Sequence, residues 1–269
     1  MKSLESVSTL TEGRITALTL NSACSRTSNM LLLTIVLLSW ISNLSYAADL
    51  PERVDIDYAL SGIIGQGKAH ETLLVQNKNG EQHYTLSSEI SASGFLKLIK
   101  RGSILRHSEG TITLGEGMKP LHFSDQRGEK PARSVEFDWN RQRIIYRRKG
   151  REMTENLPED TLDELSFAYH FMFAPLPEQT LDAHETDYRI LRSIHYTITH
   201  ETLDTPMGKL ATIVLTAQRT PGDSFKKKIW LAPDHHMLPV RIISTEKSGM
   251  EVDQIVTRID YQPSENPTP

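Results

Sequence analysis

The chain has 269 residues, 38% hydrophobic and 24% charged, with a formal charge of −4, a composition ordinary for a globular protein. That balance argues against nucleic acid as the main partner, which needs a basic surface. The single cysteine, Cys24, excludes a disulfide framework.

The N-terminus reads as a leader. Leu31–Leu38 is an unbroken apolar run, continued by Trp40 and Ile41, and Ser45 and Ala47 stand at positions −3 and −1 of a cleavage site before Ala48. The run is too short to cross ~30 Å of hydrocarbon, so cleavage is expected rather than anchoring, with no stable membrane span afterwards. The stretch before Met30 is long for such a leader, and Met30 is an alternative start, although it would leave no basic residue ahead of the apolar run. Either way Cys24 is lost, and a cysteine-free exported chain suits the bacterial periplasm. Residues 1–47 carry three of the 30 basic and two of the 34 acidic residues, so the mature charge is −5. The expected organisation is one β-rich domain over residues 48–262 and a disordered tail, 263–269.

Val54, Ile56, Tyr58 and Leu60 alternate with polar residues, as in a half-buried strand. Ala69–Gln76 and Gln82–Ile90 predict a strand pair around the Asn77–Gly80 turn. Phe95–Ile99 is a short apolar strand candidate, and Ile104–His107 and Thr111–Leu114 read as a pair across Glu109-Gly110. Gly117–Pro120 turns the chain into Leu121–Asp125, and Ser134–Trp139 and Arg143–Arg148 are strands across Asn140.

The period then changes. Thr161–Phe173 predicts a helix, with Thr161 and Glu164 as a capping box and Pro175 and Pro177 beyond its end. Leu165, Ala168, Tyr169 and Met172 form one stripe, and Phe167, Phe171 and Phe173 fill other faces, so the helix is apolar nearly all round and should be buried. Strands follow at Tyr188–His200 and Leu210–Arg219. Phe225–Tyr261 then gives three β-rich runs separated by turns at Ala232-Pro233-Asp234 and Ser248-Gly249. The fold class is mostly β: about a dozen strands in a strongly curved antiparallel sheet or half-open barrel wrapped against one apolar helix.

Several of these segments are shared with a known family. Gly117-Met118-Lys119-Pro120, Phe137-Asp138-Trp139, Asp163-Glu164-Leu165-Ser166, Thr205-Pro206-Met207-Gly208 and Trp230-Leu231-Ala232-Pro233-Asp234 followed by Leu238-Pro239-Val240-Arg241 resemble the proteobacterial envelope family called domain of unknown function 3108. The Trp230–Arg241 hairpin is also similar to one in periplasmic lipoprotein carriers, which hold acyl chains in a half-open barrel. Those carriers have an Asp directly after the Trp-aliphatic pair, where this chain has Ala232-Pro233. The family resemblance implies an envelope location and brings no catalytic residues with it.

Candidate chemistry is sparse. His195 and His200 are five apart on one expected strand and so face opposite ways, and His235-His236 at a turn lacks further ligands, so no metal or other cofactor is expected. Gly222-Asp223-Ser224 lies in a hairpin loop without a strand-to-helix elbow or a base, so it reads as turn chemistry rather than a hydrolase nucleophile. Arg141, Arg143, Arg147, Lys149 and Arg151 would share one strand face, either as an anionic-partner contact or as a solubilising edge. Phe167, Tyr169, Phe171 and Trp230 are candidate ligand-binding residues, either core or the wall of an apolar pocket. The expected function is therefore non-enzymatic: periplasmic binding of a lipid or amphipathic envelope component. An interaction module for another envelope protein is the alternative, and a hydrolase comes third.

Overall fold

The computed structural model describes residues 50–62, 65–92, 102–218, 225–245 and 251–264. The expected leader, the Phe95–Ile99 strand, and the turns at Gly222-Asp223-Ser224 and Ser248-Gly249 lie outside these residues.

The chain is mostly β. Its strands are β1 (Pro51–Gly62), β2 (Gly65–Lys78), β3 (Glu81–Ala92), β4 (Ile104–Thr113), β5 (Gly117–Arg127), β6 (Arg133–Asp138), β7 (Arg143–Arg148) and β8 (Arg151–Asn156). The second half adds β9 (Thr161–Asp163), β10 (Thr180–Thr186), β11 (Leu191–Thr205), β12 (Gly208–Ala217), β13 (Lys227–Ala232), β14 (Leu238–Thr245) and β15 (Glu251–Pro263). All fifteen belong to one sheet, in the order β8 to β1, then β15 back to β9. The first and last strands pair at its middle, with Val54 opposite Tyr261 and Ile56 opposite Ile259. The two halves run outward from that seam as antiparallel meanders, and only β9 pairs in parallel, with β10.

Period-2 patterning explains the strands. Val54, Ile56, Tyr58 and Leu60 are all buried on one face of β1, as one face of a sheet against a core requires. Asn79 and Gly80 take φ of +57° and +88°, as the tight hairpin turn between β2 and β3 needs, and Asn77 Oδ1 accepts the Gly80 N–H at 2.9 Å.

Several expectations are corrected. Among the described residues the strands number fifteen, not about a dozen. Ile104–Leu114 is not a turning pair; β4 runs through it with a register jump at Glu109/Gly110. A Cβ on Gly110 would sit 2.1 Å from the Lys119 carbonyl oxygen, so this glycine admits a close neighbour strand instead of turning the chain. Tyr188 precedes its strand, because Asp187 Oδ1 accepts the N–H groups of Arg189 (2.6 Å) and Ile190 (3.0 Å) and builds a turn there.

The largest correction is the helix. Thr161–Asp163 is strand β9, and only Ser166–Tyr169 is α-helical (α1), followed by a 3₁₀ turn at His170–Met172. Thr161 does not cap it; its hydroxyl donates to the Pro158 carbonyl at 2.8 Å. Asp163 takes that role, with Oδ1 accepting the N–H groups of Leu165 (3.0 Å) and Ser166 (2.9 Å).

The sheet is not closed by hydrogen bonds, since β8 and β9 are its two ends. Side chains nevertheless cross between its halves. Asp163 Oδ2 on β9 accepts the hydroxyl of Ser108 on β4 at 2.6 Å, and the hydroxyls of Tyr146 on β7 and Thr186 on β10 meet at 2.9 Å. Helix α1 is held from both halves. Tyr169 donates to Glu71 on β2 at 2.6 Å, and Phe167 stacks on Tyr196 of β11 with centroids 5.2 Å apart. The Met118 N–H on β5 donates to His170 Nδ1 at 3.1 Å. Gly117 lies against that imidazole at φ +98°, where a Cβ would come 2.2 Å from the ring, so only glycine fits.

Candidate functional site

A cavity of about 510 Å³ opens between the two halves of the sheet, within the usual size range of small-molecule sites, ~300–1,000 Å³. Leu165 and Ala168 of α1 form part of its wall, with Ile194 of β11 and Ile242 of β14. The rest of the lining is charged. Glu71, Arg106, Arg127 and Arg148 come from the first half of the sheet, and Glu185, Arg192 and Lys227 from the second, with Asp187 and Arg189 in the β10–β11 turn.

Most of these charges are committed to partners. Lys227 and Glu185 form a buried ion pair, 8% and 5% exposed, and Tyr196 donates to the second oxygen of the same carboxylate. The Lys227 ammonium also lies 4.8 Å from the Phe167 ring centroid. Glu71 accepts Tyr169 and, at 3.0 Å, the Ser88 hydroxyl. Arg189 holds Asp187 Oδ2 with two N–H groups, at 2.8 and 2.6 Å. Asp125, fully buried behind the wall, gathers Arg106, Arg127 and Arg133. Arg133 and Arg189 stack over the buried Tyr188 ring at 3.6 and 4.9 Å.

Two arginines at the exposed end are held less fully. Arg192 stacks on Phe225 at 5.1 Å, and its nearest carboxylate oxygen is 3.7 Å away, on the Asp187 that Arg189 already holds. Arg148 is exposed at the end of β7 and forms no ion pair among the described residues. On the wall beside them, Thr245 Oγ1 is buried without a hydrogen-bond partner among the described residues.

Burial sets the protonation states around this cavity. It pushes the Tyr169 and Tyr196 phenols well above their ordinary values, and the carboxylates of Glu71 and Glu185 add to the effect, so both phenols stay protonated and donate. The Tyr146 phenol is pushed up to about 12 by burial, with the Thr186 hydrogen bond and the charge of Arg192 acting against that. Burial also raises the Glu164 carboxyl, opposed first by Arg106, although 29% of its side chain still meets open space. His170 is held below its usual value by burial.

The residues singled out from sequence fall in varied places. Phe167, Tyr169 and Phe171 are buried in the core around α1, with Phe167 and Phe171 edge-to-face at 5.7 Å. Trp230 is 2% exposed, on the face of β13 opposite Lys227. Lys228 and Arg241 lie 4.4 and 4.9 Å from its ring, and its indole N–H donates to Glu201 at 2.5 Å. None of these four lines the cavity.

The basic run does not form one stripe. Lys149 sits in a turn at φ +51°, leaving Arg143 and Arg147 on β7 and placing Arg151 on β8. Arg147 pairs with Glu136 and Glu152, and Arg141 with Asp138. The arginine of this run that reaches the cavity is Arg148, which the stripe had left out. Sequence reasoning also missed Arg192, Lys227 and Glu185. Among the described residues no group of three His, Cys, Asp or Glu is gathered as a metal site, and no helix is long and apolar enough to cross a membrane.

Comparison with known proteins adds a family. The model of the family "Protein of unknown function (DUF3108)" matches residues 53–254. No curated protein matches. Among solved structures, a β-barrel-like protein of the domain of unknown function DUF1849 from Brucella abortus is 6% identical, with a TM-score of 0.44 over 79% of this chain and 98% of that one. A DUF1329 family protein from Desulfovibrio piger is 9% identical, with a TM-score of 0.25 over 79% of this chain and 87% of that one.

Proposed function

This chain belongs to the DUF3108 family of proteins of unknown function, and from that premise we propose that it is a non-catalytic binding protein for a lipid or other amphipathic component of the bacterial envelope. In this reading residues 1–47 are a cleaved leader that delivers the chain to the periplasm. The sheet acts as a half-open barrel, α1 fills part of its interior, and the remaining space takes the ligand.

The observation that carries the reading is the mixed cavity wall, with Leu165, Ala168, Ile194 and Ile242 beside a set of cations. An amphiphile is the ligand class that satisfies both kinds of surface at once. A binding role rather than catalysis is supported by the engagement of the wall carboxylates. Glu185 holds Lys227, Asp187 holds Arg189 and Glu71 holds Tyr169, so these three are committed to structural partners.

The test is native mass spectrometry of the exported protein purified without detergent, followed by displacement of a fluorescent fatty acid. A bound amphiphile that leaves on denaturation, or saturable displacement, is expected. An empty protein that also binds no amphiphile would refute the proposal. A second reading, docking of an envelope protein by strand addition, is favoured by β8, a sheet end whose six residues are nearly all exposed. Thr154→Pro, at an edge position, would weaken such docking and leave amphiphile binding intact.

A further inference from the structure

The cavity is chemically polarised along its strands. On β7 the inward positions run Ile144, Tyr146, Arg148; on β11 they run Arg192, Ile194, Tyr196; on β13, Lys227, Ile229, Leu231. In each, the apolar row changes to a cation at one end. Strand register brings those ends together: Arg192 is opposite Glu185, which binds Lys227, and Lys227 is opposite Ser244. The Tyr146–Thr186 hydrogen bond draws in the end of β7, and the action of Arg192 on the Tyr146 phenol reflects the same proximity.

We infer that this end is a head-group site for an anion, formed by Arg148 and Arg192, and that the ligand is a single-chain amphiphile with an anionic head whose tail lies along Leu165, Ala168, Ile194 and Ile242. The inference rests on the amphiphile reading above and adds the charge and orientation of the ligand.

Three observations support it. The other cavity cations are matched by carboxylates, whereas Arg148 has no ion pair among the described residues and Arg192 only a distant share of Asp187. The Thr245 hydroxyl, without a partner among the described residues, lines the same cavity, and a buried hydroxyl without a partner is costly unless a ligand supplies one. The volume, about 510 Å³, suits one small amphiphile better than a lipid with several chains. Guanidinium groups suit carboxylate and phosphate alike, by paired N–H donation. A head at the exposed end also keeps part of its hydration, so burying the tail does not require burying the charge.

The experiment uses the full mature chain and three probes of equal chain length below their micelle concentrations: dodecanoate, dodecyl phosphate and dodecyltrimethylammonium. Wild type should bind the two anions and bind the cation at least about tenfold more weakly. Arg148→Gln and Arg192→Gln should each weaken the anions about tenfold, with the cation unchanged or improved and the thermal midpoint preserved. Arg258→Gln, which removes a distant exposed cation paired with Asp260, should change nothing. Anion affinity should fall as salt rises, and inorganic phosphate alone should compete far more weakly than dodecyl phosphate. Equal binding of all three probes, indifference to both arginine substitutions, or free phosphate binding as tightly as dodecyl phosphate would overturn the head-group site while leaving amphiphile binding in place. Failure of all three probes to bind would overturn both.

Discussion

Replacing Asp163 by alanine should unfold this protein more readily than any surface change. The carboxylate is completely buried and accepts four hydrogen bonds: from the N–H groups of Leu165 and Ser166, and from the hydroxyls of Ser108 and Ser166. It therefore starts α1 and ties β9, one end of the sheet, to β4. After truncation the hydroxyls have fallbacks, because Ser108 is 3.0 Å from the Tyr84 hydroxyl and Ser166 is 3.3 Å from the Asp163 carbonyl oxygen. The two N–H groups have none, and at roughly 1–3 kcal/mol for each orphaned group the loss is about 2–6 kcal/mol. Burial pushes the Asp163 carboxyl up against the pull of its donors, so burial disfavours the charge that the donors favour. An asparagine in its place would keep Oδ1 for the two N–H groups, and the serine hydroxyls can turn to accept from its amide. Asp163→Asn should thus fall within about 1–2 kcal/mol of wild type, the net scale of one or two ordinary hydrogen bonds. Urea unfolding followed by tryptophan fluorescence measures both, with an unchanged slope as the check on two-state behaviour. An alanine variant within about 1 kcal/mol of wild type, or asparagine no better than alanine, would refute the capping argument.

Other outcomes follow from the same structure. Burial lowers the His170 pKa below the ordinary 6.5, so the unfolded chain takes up that proton first. The stability His170 confers should be full above about pH 6.5 and be lost as pH falls through the folded value, and His170→Gln should flatten that limb of a pH–stability curve. Gly117→Ala forces a Cβ against the His170 ring at positive φ, which should cost roughly 2–5 kcal/mol in denaturant unfolding; pairing it with His170→Ala should remove the steric part of that loss. Phe167→Ala should cost ~3–5 kcal/mol with little direct effect on amphiphile binding, whereas Ala168→Leu, on the cavity wall, should weaken binding in a fluorescence displacement assay. N-terminal sequencing of exported protein should begin at Ala48.

The strands at the start of the chain are legible because a sheet with one buried face imposes period-2 alternation, and β1, β2 and β3 all carry it; β13 and β14 are legible from their β-branched and aromatic residues between turn signals instead. The helix was misread because seven apolar or aromatic residues between Leu165 and Phe173 satisfy a helical period by density alone. Two competing interactions shorten it. Thr161, Leu162 and Asp163 pair with His184, Glu185 and Thr186 of β10, which commits the expected first turn to the sheet. Asp163 then restarts the chain as a helix three residues on, at Ser166. The partner strand β10 lies beyond the helix and its proline linker, so no local propensity could report the pairing. The bulge at Gly110 was hidden for the same reason, since it depends on how closely Lys119 approaches.

The site is hard to see in the sequence because aromatic residues suggest pocket walls and charged residues suggest surface. Here the aromatics of α1 pack the core, and the cavity is lined in large part by charge. One signal was present in the sequence. Glu71 falls in register with Ala69, Leu73 and Val75; Asp125 with Phe123; Lys227 with Ile229 and Leu231. A charged residue in the inward phase of a strand cannot face bulk water without a register slip that would expose the whole apolar row. Leaving it buried and unpaired costs more still, so each such residue requires a partner on another inward face. Counting them gives carboxylates at 71, 125 and 185 and cations at 106, 127, 133, 148, 192 and 227. Tyr169 in the core donates to Glu71, Asp125 takes Arg106, Arg127 and Arg133, and Glu185 takes Lys227. Arg148 and Arg192 are left over, and inward phase places both at the cavity. The surplus was thus written in strand phase, but it became readable only when the pairing across the sheet assigned every other charge its partner.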